Sequence, residues 1–250
     1  MVLEILEYGN KLNKKLILIH GFESTYRSFD RIIDNYKDEY HIIVPVIPGH
    51  SVTEKKDFIS FAASAAEFEE YYRKNYGETI DAVYAASMGG VFATTIWQRE
   101  NIKIKKLIME SSPLLPFGKF VCLIMTKIYL SMTHNTQERE EKTLKKAIRT
   151  IVSEDDFESF LDMMDNISDT TIKRCLKEVC GFRLTPQADK NTDIYYFYGG
   201  TFAEKVFARV AKYIDKHYSK AKTFCIKGKG HCEELIFTPD LVIKRLDKIL

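Results

Sequence analysis

The sequence predicts an α/β protein: a mainly parallel, doubly wound sheet with a block of helices inserted late in the chain. Three observations predict it. Apolar runs of strand length alternate with helical patterns over most of the 250 residues. The alternation stops between 114 and 191, where only helical patterns occur. A sharp strand–turn–helix junction, Ala85-Ala86-Ser87-Met88-Gly89, sits between an apolar run and a helical one.

Strand-length runs fall at 2–8, 15–20, 41–46, 80–85, 105–109, 193–198 and 221–226. The first alternates apolar and acidic residues, as an edge strand does. Helical patterns cover 61–76, 90–100, 202–218 and 239–250. Inside the insertion they cover 117–132, 138–151, 155–164 and 169–179, with Ser153 and Ser168 placed before acidic residues as helix N-caps. This divides the chain into a core, 1–113 with 192–250, and a helical cap, 114–191. The first cap helix is apolar on nearly every face. Most of that surface is expected to pack on the core, and part, including Ile124 and Ile128, to line an acyl pocket.

A serine on so tight a strand-to-helix turn is held in a strained conformation with its hydroxyl raised above the sheet. Small residues are needed two before and two after it, and Ala85 and Gly89 supply them. The turn also aims the Met88 N–H at an oxyanion position. Ser87 is therefore a candidate nucleophile. His20-Gly21-Phe22 follows an apolar strand run and offers the Phe22 N–H as a second oxyanion donor. Lys227-Gly228-Lys229-Gly230-His231 puts His231 on a glycine-flanked loop, free to reach back to Ser87 as general base.

With Pro48-Gly49-His50-Ser51, these segments make the chain resemble the α/β-hydrolase superfamily over nearly its whole length, nearest to small bacterial hydrolases with a helical cap. Seven strands are one fewer than that fold usually carries, and the N-terminal edge is where one would be missing. The resemblance implies a serine that attacks an acyl carbon, a histidine that shuttles the proton, and an acid that orients the histidine. Ser51 stands where a second glycine is common.

The acid departs from the resembled pattern. A Gly-x-x-Asp turn is usual after the penultimate strand, but here the chain reads Tyr198-Gly199-Gly200-Thr201-Phe202-Ala203-Glu204, and Glu204 is the first carboxylate. It could equally open a helix, where the dipole favours an acid. The competitor is Glu110, at the end of the strand 105–109, because some relatives carry their acid after that earlier strand. Glu204 is the first choice and Glu110 the alternative.

Composition excludes other classes. Thirty-seven basic against 35 acidic residues give a formal charge of +2, so nothing points to nucleic acid. Cap lysines interleave with glutamates, which argues against a phosphate-bearing leaving group. Five cysteines without a Cys-x-x-Cys pair suggest reduced thiols and a cytoplasmic protein. No apolar stretch reaches the ~20 residues of a membrane span. No residue cluster has metal-ligand spacing, and no cofactor is called for. The expected activity is a serine hydrolase acting on small-molecule carboxylic esters with small to medium apolar acyl groups. The alternatives are a thioesterase or C–C bond hydrolase on the same triad, and a non-catalytic hydrolase-like binding protein. Oligomeric state is not legible.

Overall fold

A computed structural model describes residues 3–186 and 191–250. One seven-stranded sheet is formed by β1 (Glu4–Tyr8), β2 (Lys14–Ile19), β3 (Tyr40–Val46), β4 (Thr79–Ala86), β5 (Lys103–Glu110), β6 (Asp193–Gly199) and β7 (Lys222–Ile226). Their order is β1-β3-β2-β4-β5-β6-β7, and only β1 runs antiparallel, against β3. The antiparallel strand thus lies at the N-terminal edge, the edge where the resembled fold would carry its further strand.

Alternation along the strands builds two apolar layers. Ile17, Ile19, Val83, Ala85 and Leu107 face a layer shared with α2 (Phe61–Tyr76), α3 (Met88–Arg99) and α8 (Lys205–His217). Leu16, Leu18, Ala82, Tyr84 and Ile108 face the other, shared with α1 (Asp30–Tyr36), α9 (Glu233–Phe237) and α10 (Pro239–Leu246). α2 shows how a helix is fixed: Ser60 accepts from the Ala63 N–H at 3.0 Å, and Phe61, Ala65, Phe68 and Tyr72 recur on one buried stripe.

Among the described residues, four helices lie between β5 and β6: α4 (Lys119–Gln137), α5 (Glu141–Thr150), α6 (Phe157–Asn166) and α7 (Asp169–Gly181). They bury a cluster of their own around Phe160, Met163, Met164 and Ile172. Ser168 caps α7 by accepting from the Thr171 N–H. Ser153 does not cap a helix, because α6 begins only at Phe157; its hydroxyl accepts from the Asp156 N–H in the turn before.

Two expectations about this insertion need correction. α4 leaves much of its apolar surface open, with Phe120, Val121, Leu123, Ile124 and Ile128 all more than 40% exposed. And α5 gathers more basic residues on one helix than the interleaved sequence suggests, although an acid stays among them. Lys142, Lys145, Lys146 and Arg149 recur at helical spacing and are exposed on α5, where Glu141 pairs with Lys145, while Glu138 and Glu140 precede the helix.

The loop at Pro48 takes a definite shape despite Ser51. Gly49 has φ +88°, and a Cβ there would lie 2.4 Å from Thr171 Cγ2 of α7, so no side chain fits. Ser51 Oγ accepts from the N–H groups of Thr53 and Glu54 at 3.1 Å each, closing the turn by side chain instead of by a second glycine. Among the described residues no helix is long and apolar enough to cross a membrane.

Candidate active site

β4 ends at Ala86 and α3 starts at Met88, leaving one residue to turn the chain. Ser87 takes φ +51° and ψ −119° there, a region strained for any side chain. A serine before a helix ordinarily caps it through its hydroxyl. Ser87 makes no such bond. Its Oγ lies instead 2.8 Å from His231 Nε2. Met88, the first helical residue, has an N–H with no intrahelical acceptor.

The elbow is possible because Gly89 has no side chain. A Cβ on it would sit 2.3 Å from the Ile19 carbonyl oxygen and 2.6 Å from that of His20. Gly89→Ala therefore has to push α3 off the end of β2. The expected outcome is a loss of about 3 kcal/mol or more in urea unfolding, or failure to fold; a soluble variant of unchanged stability would contradict this packing.

Beyond β2, His20 holds the turn that carries Phe22. The Ile47 N–H donates to His20 Nε2 at 3.0 Å, so the ring proton is on Nδ1, which donates to the Gly21 carbonyl at 2.9 Å. Burial drives the His20 pKa down to about 4, keeping the ring neutral in this role. His50, also fully buried, is pushed down to about 3 mainly by burial, and its ring packs 5.4 Å from that of Phe22. A Cβ on Gly21 would be 3.4 Å from Ser87 Cβ, which places this turn beside the nucleophile candidate.

His231 comes from the loop after β7. Its Nδ1 lies 3.3 Å from Glu204 Oε1. A carboxylate oxygen only accepts, so Nδ1 carries the ring proton and Nε2 is left to accept from the Ser87 hydroxyl. Glu204 is reached through a short 3₁₀ turn, Phe202–Glu204, that precedes α8, and it is 3% exposed. Its Oε2 accepts the Ser111 hydroxyl at 2.8 Å. Ser87, His231 and Glu204 thus form one hydrogen-bonded line.

Glu110 does not join that line. It is equally buried, but Oε2 accepts the Tyr84 hydroxyl at 2.8 Å and pairs with Arg245 Nη2 at 3.0 Å. Arg245, in α10, also pairs with Glu234. The buried charge at the end of β5 is thereby explained as one partner of an ion pair with α10, which speaks against the alternative of Glu110 as the acid. Cys232, beside His231, is a buried packing residue whose thiol donates to the Glu110 carbonyl at 3.7 Å.

Ile124 and Ile128 are 42% and 57% exposed, so the substrate contacts assigned to them do not correspond to the inward face of α4. One position further along, Met125 and Tyr129 turn inward, and the Tyr129 ring packs edge-on against Phe22 at 5.1 Å. A helix apolar on nearly every face gives no period from which its inward side can be read. Two further residues carry no sequence signal. Ser111 is one. The other is Glu23, which follows Phe22 at φ +49° and accepts the Thr133 hydroxyl of α4 at 2.8 Å. Burial pushes the Glu23 carboxyl up to about 8. Among the described residues, no group of three or more His, Cys, Asp or Glu is placed to hold a metal ion.

No family model matches the sequence. Among curated proteins it is 26% identical over 152 residues to a pimeloyl-[acyl-carrier protein] methyl ester esterase of Legionella pneumophila strain Corby, covering 59% of this chain and 58% of that one. The same enzyme from strain Lens is 28% identical over 142 residues, 53% of each chain. The chain thus spans little more than half the length of the curated relatives it matches. Solved structures match almost end to end. An alpha/beta hydrolase family protein from Desulfitobacterium hafniense gives a TM-score of 0.76 at 19% identity, covering 98% of this chain and 99% of that one. A carboxylesterase from the thaumarchaeon Nitrososphaera gargenis gives a TM-score of 0.78 at 12% identity, covering 98% of this chain and 93% of that one. Strand order, elbow and end-to-end superposition together establish that this chain has the α/β-hydrolase fold.

Proposed function

We propose that this chain is a serine hydrolase that cleaves carboxylic esters through an acyl-enzyme. The observation that carries the reading is the line from Ser87 Oγ through His231 to Glu204, built on a strained elbow. Ser87 Oγ attacks the acyl carbon while His231 Nε2 takes its proton. The carbonyl oxygen becomes an oxyanion held by the Met88 and Phe22 N–H groups. The intermediate collapses, and the alcohol leaves with the proton from His231. Water then gives a proton to His231 and attacks the acyl group, and Ser87 recovers its proton as the acid departs. Glu204 accepts from Nδ1–H throughout and so supports the imidazolium. Every step is a proton or acyl transfer made by this chain's own groups.

Residues 114–191 serve as a cap over this core in the same reading. The acyl group is placed between the oxyanion turn and the inward face of α4, against Met125, Tyr129 and Phe22. The apolar character of these residues supports an aliphatic acyl group of small to medium size. The names of the curated relatives, methyl ester esterases acting on a pimeloyl chain, support an ester of that kind. Five cysteines free of disulfides support a reducing compartment such as the cytoplasm.

A thioesterase is the second reading, favoured by the basic face of α5, which suits a phosphate-bearing leaving group. One experiment tests both. A fluorophosphonate probe should label Ser87, as mapped by mass spectrometry, and Ser87→Ala should abolish labelling together with turnover of p-nitrophenyl esters. Faster turnover of acyl-coenzyme A would promote the thioesterase reading. Unchanged ester turnover in pure, folded Ser87→Ala would end both.

A further inference from the structure

A glutamate has one more rotatable bond than an aspartate, so the direction of the Glu204 carboxylate has to be fixed by its surroundings. Its contact with His231 is long, 3.3 Å, whereas the Ser111 hydroxyl meets its other oxygen at 2.8 Å. Ser111 is fully buried and has φ +46°, a conformation costly for every residue except glycine. Such strain in a buried serine calls for something that the strained conformation achieves.

Backbone bonds show what surrounds it. The Ser111 N–H donates to the Phe197 carbonyl of β6 at 2.8 Å, and the carbonyl of the preceding Glu110 accepts the Ser87 N–H at 2.8 Å. The end of β5 is therefore bonded to the nucleophile's backbone on one side and to the acid's strand on the other. The side chain of Ser111, the next residue, finishes on the acid itself. Other polar groups nearby are committed elsewhere: the Tyr196 hydroxyl donates to the Ser112 carbonyl, and Glu110 is taken by Tyr84 and Arg245.

Resting on the serine-hydrolase reading, we propose that Ser111 is a positioning residue: its hydroxyl holds Glu204 in the rotamer that orients His231. It acts through Glu204 and does not touch substrate.

The test is a double-mutant cycle on the full chain, assayed with a p-nitrophenyl ester. Ser111→Ala and Ser111→Gly are each made alone and together with Glu204→Gln; glycine suits φ +46° and provides a folded variant if alanine does not. Each single change should lower kcat on the order of ten- to hundredfold, the range for a hydrogen bond to a charged group, with KM unchanged. In the Glu204→Gln background neither should cost anything further. Losses that multiply, or an unchanged kcat in Ser111→Gly, overturn the proposal. A second readout does not depend on turnover. In ¹⁵N-histidine-labelled protein, Ser111→Gly should move the His231 ring resonances and leave those of His134 and His217 in place. If wild type hydrolyses no ester, the hydrolase reading fails, and the NMR result alone decides the positioning role; an unmoved His231 signal overturns it.

Discussion

Glu204→Gln lowers kcat by up to ~10⁴ with KM little changed, on the precedent of triads whose acid is replaced by its amide. The amide can present its NH₂ to His231 Nδ1, which then has to accept. The ring proton moves to Nε2, and the nitrogen facing Ser87 can no longer take a proton. Glu110→Gln acts on stability instead. It leaves Arg245 with Glu234 alone and removes the charge that Tyr84 donates to, costing about 3 kcal/mol, the low end for breaking a buried ion pair. Steady-state kinetics and urea unfolding on both variants separate the two effects. A reversed ranking in kcat would move the acid to the end of β5; two silent variants would mean that His231 works without either carboxylate.

Glu23→Gln stabilises the protein, and the gain grows with pH. Burial raises the Glu23 pKa from its ordinary value of 4.5 to about 8, the Thr133 hydroxyl offsetting only part of that. Between those values the folded chain keeps a proton that the unfolded chain has released. Stability from this group is therefore fully present below about 4.5 and is lost as pH rises through about 8. Glutamine keeps an acceptor for Thr133 and carries no charge at any of these pH values. Unfolding free energies measured at pH 5 and pH 9 should differ little between the two proteins at the lower pH. At the higher pH, Glu23→Gln should be more stable by on the order of 4 kcal/mol. A gain that does not change with pH would show that Glu23 is not protonated in the folded state near neutrality.

Strands were legible because buried parallel strands are continuous apolar runs with few rivals. The run 193–198 stands out even though it is built from tyrosines and phenylalanine, and it becomes Asp193–Gly199. α1 carries a signal that the strand–helix alternation did not bring out. Phe29, Ile32, Ile33 and Tyr36 recur at helical spacing behind Thr25, whose hydroxyl accepts from the Arg27 N–H, yet the segment was not among the expected helices. The short α9 is different, since five residues hold too little periodicity to register.

In the candidate site, the residues whose backbone is special could be read, because small residues and glycines mark a tight turn in one dimension. What the acid does could not. Glu110, at the end of β5, and Glu204, in the 3₁₀ turn after β6, are both buried carboxylates that differ in their company: Arg245 comes from α10 and Ser111 from just beyond β5. Such pairings depend on which helix covers which end of the sheet. The inward face of α4 was lost for a related reason, because it is chosen by the neighbouring Phe22 ring and not by polarity.

The backbone at Ser87 also bears on how such a protein can change. A residue at φ +51° and ψ −119° withholds on the order of 1–3 kcal/mol from the folded state for the sake of one hydroxyl's reach. Glycine adopts those angles freely, so Ser87→Gly should melt higher than wild type while hydrolysing nothing. Drift under selection for stability alone would therefore run toward an inert scaffold of the same shape. Keeping the serine requires continuous selection on turnover, against the pull of its own backbone angles.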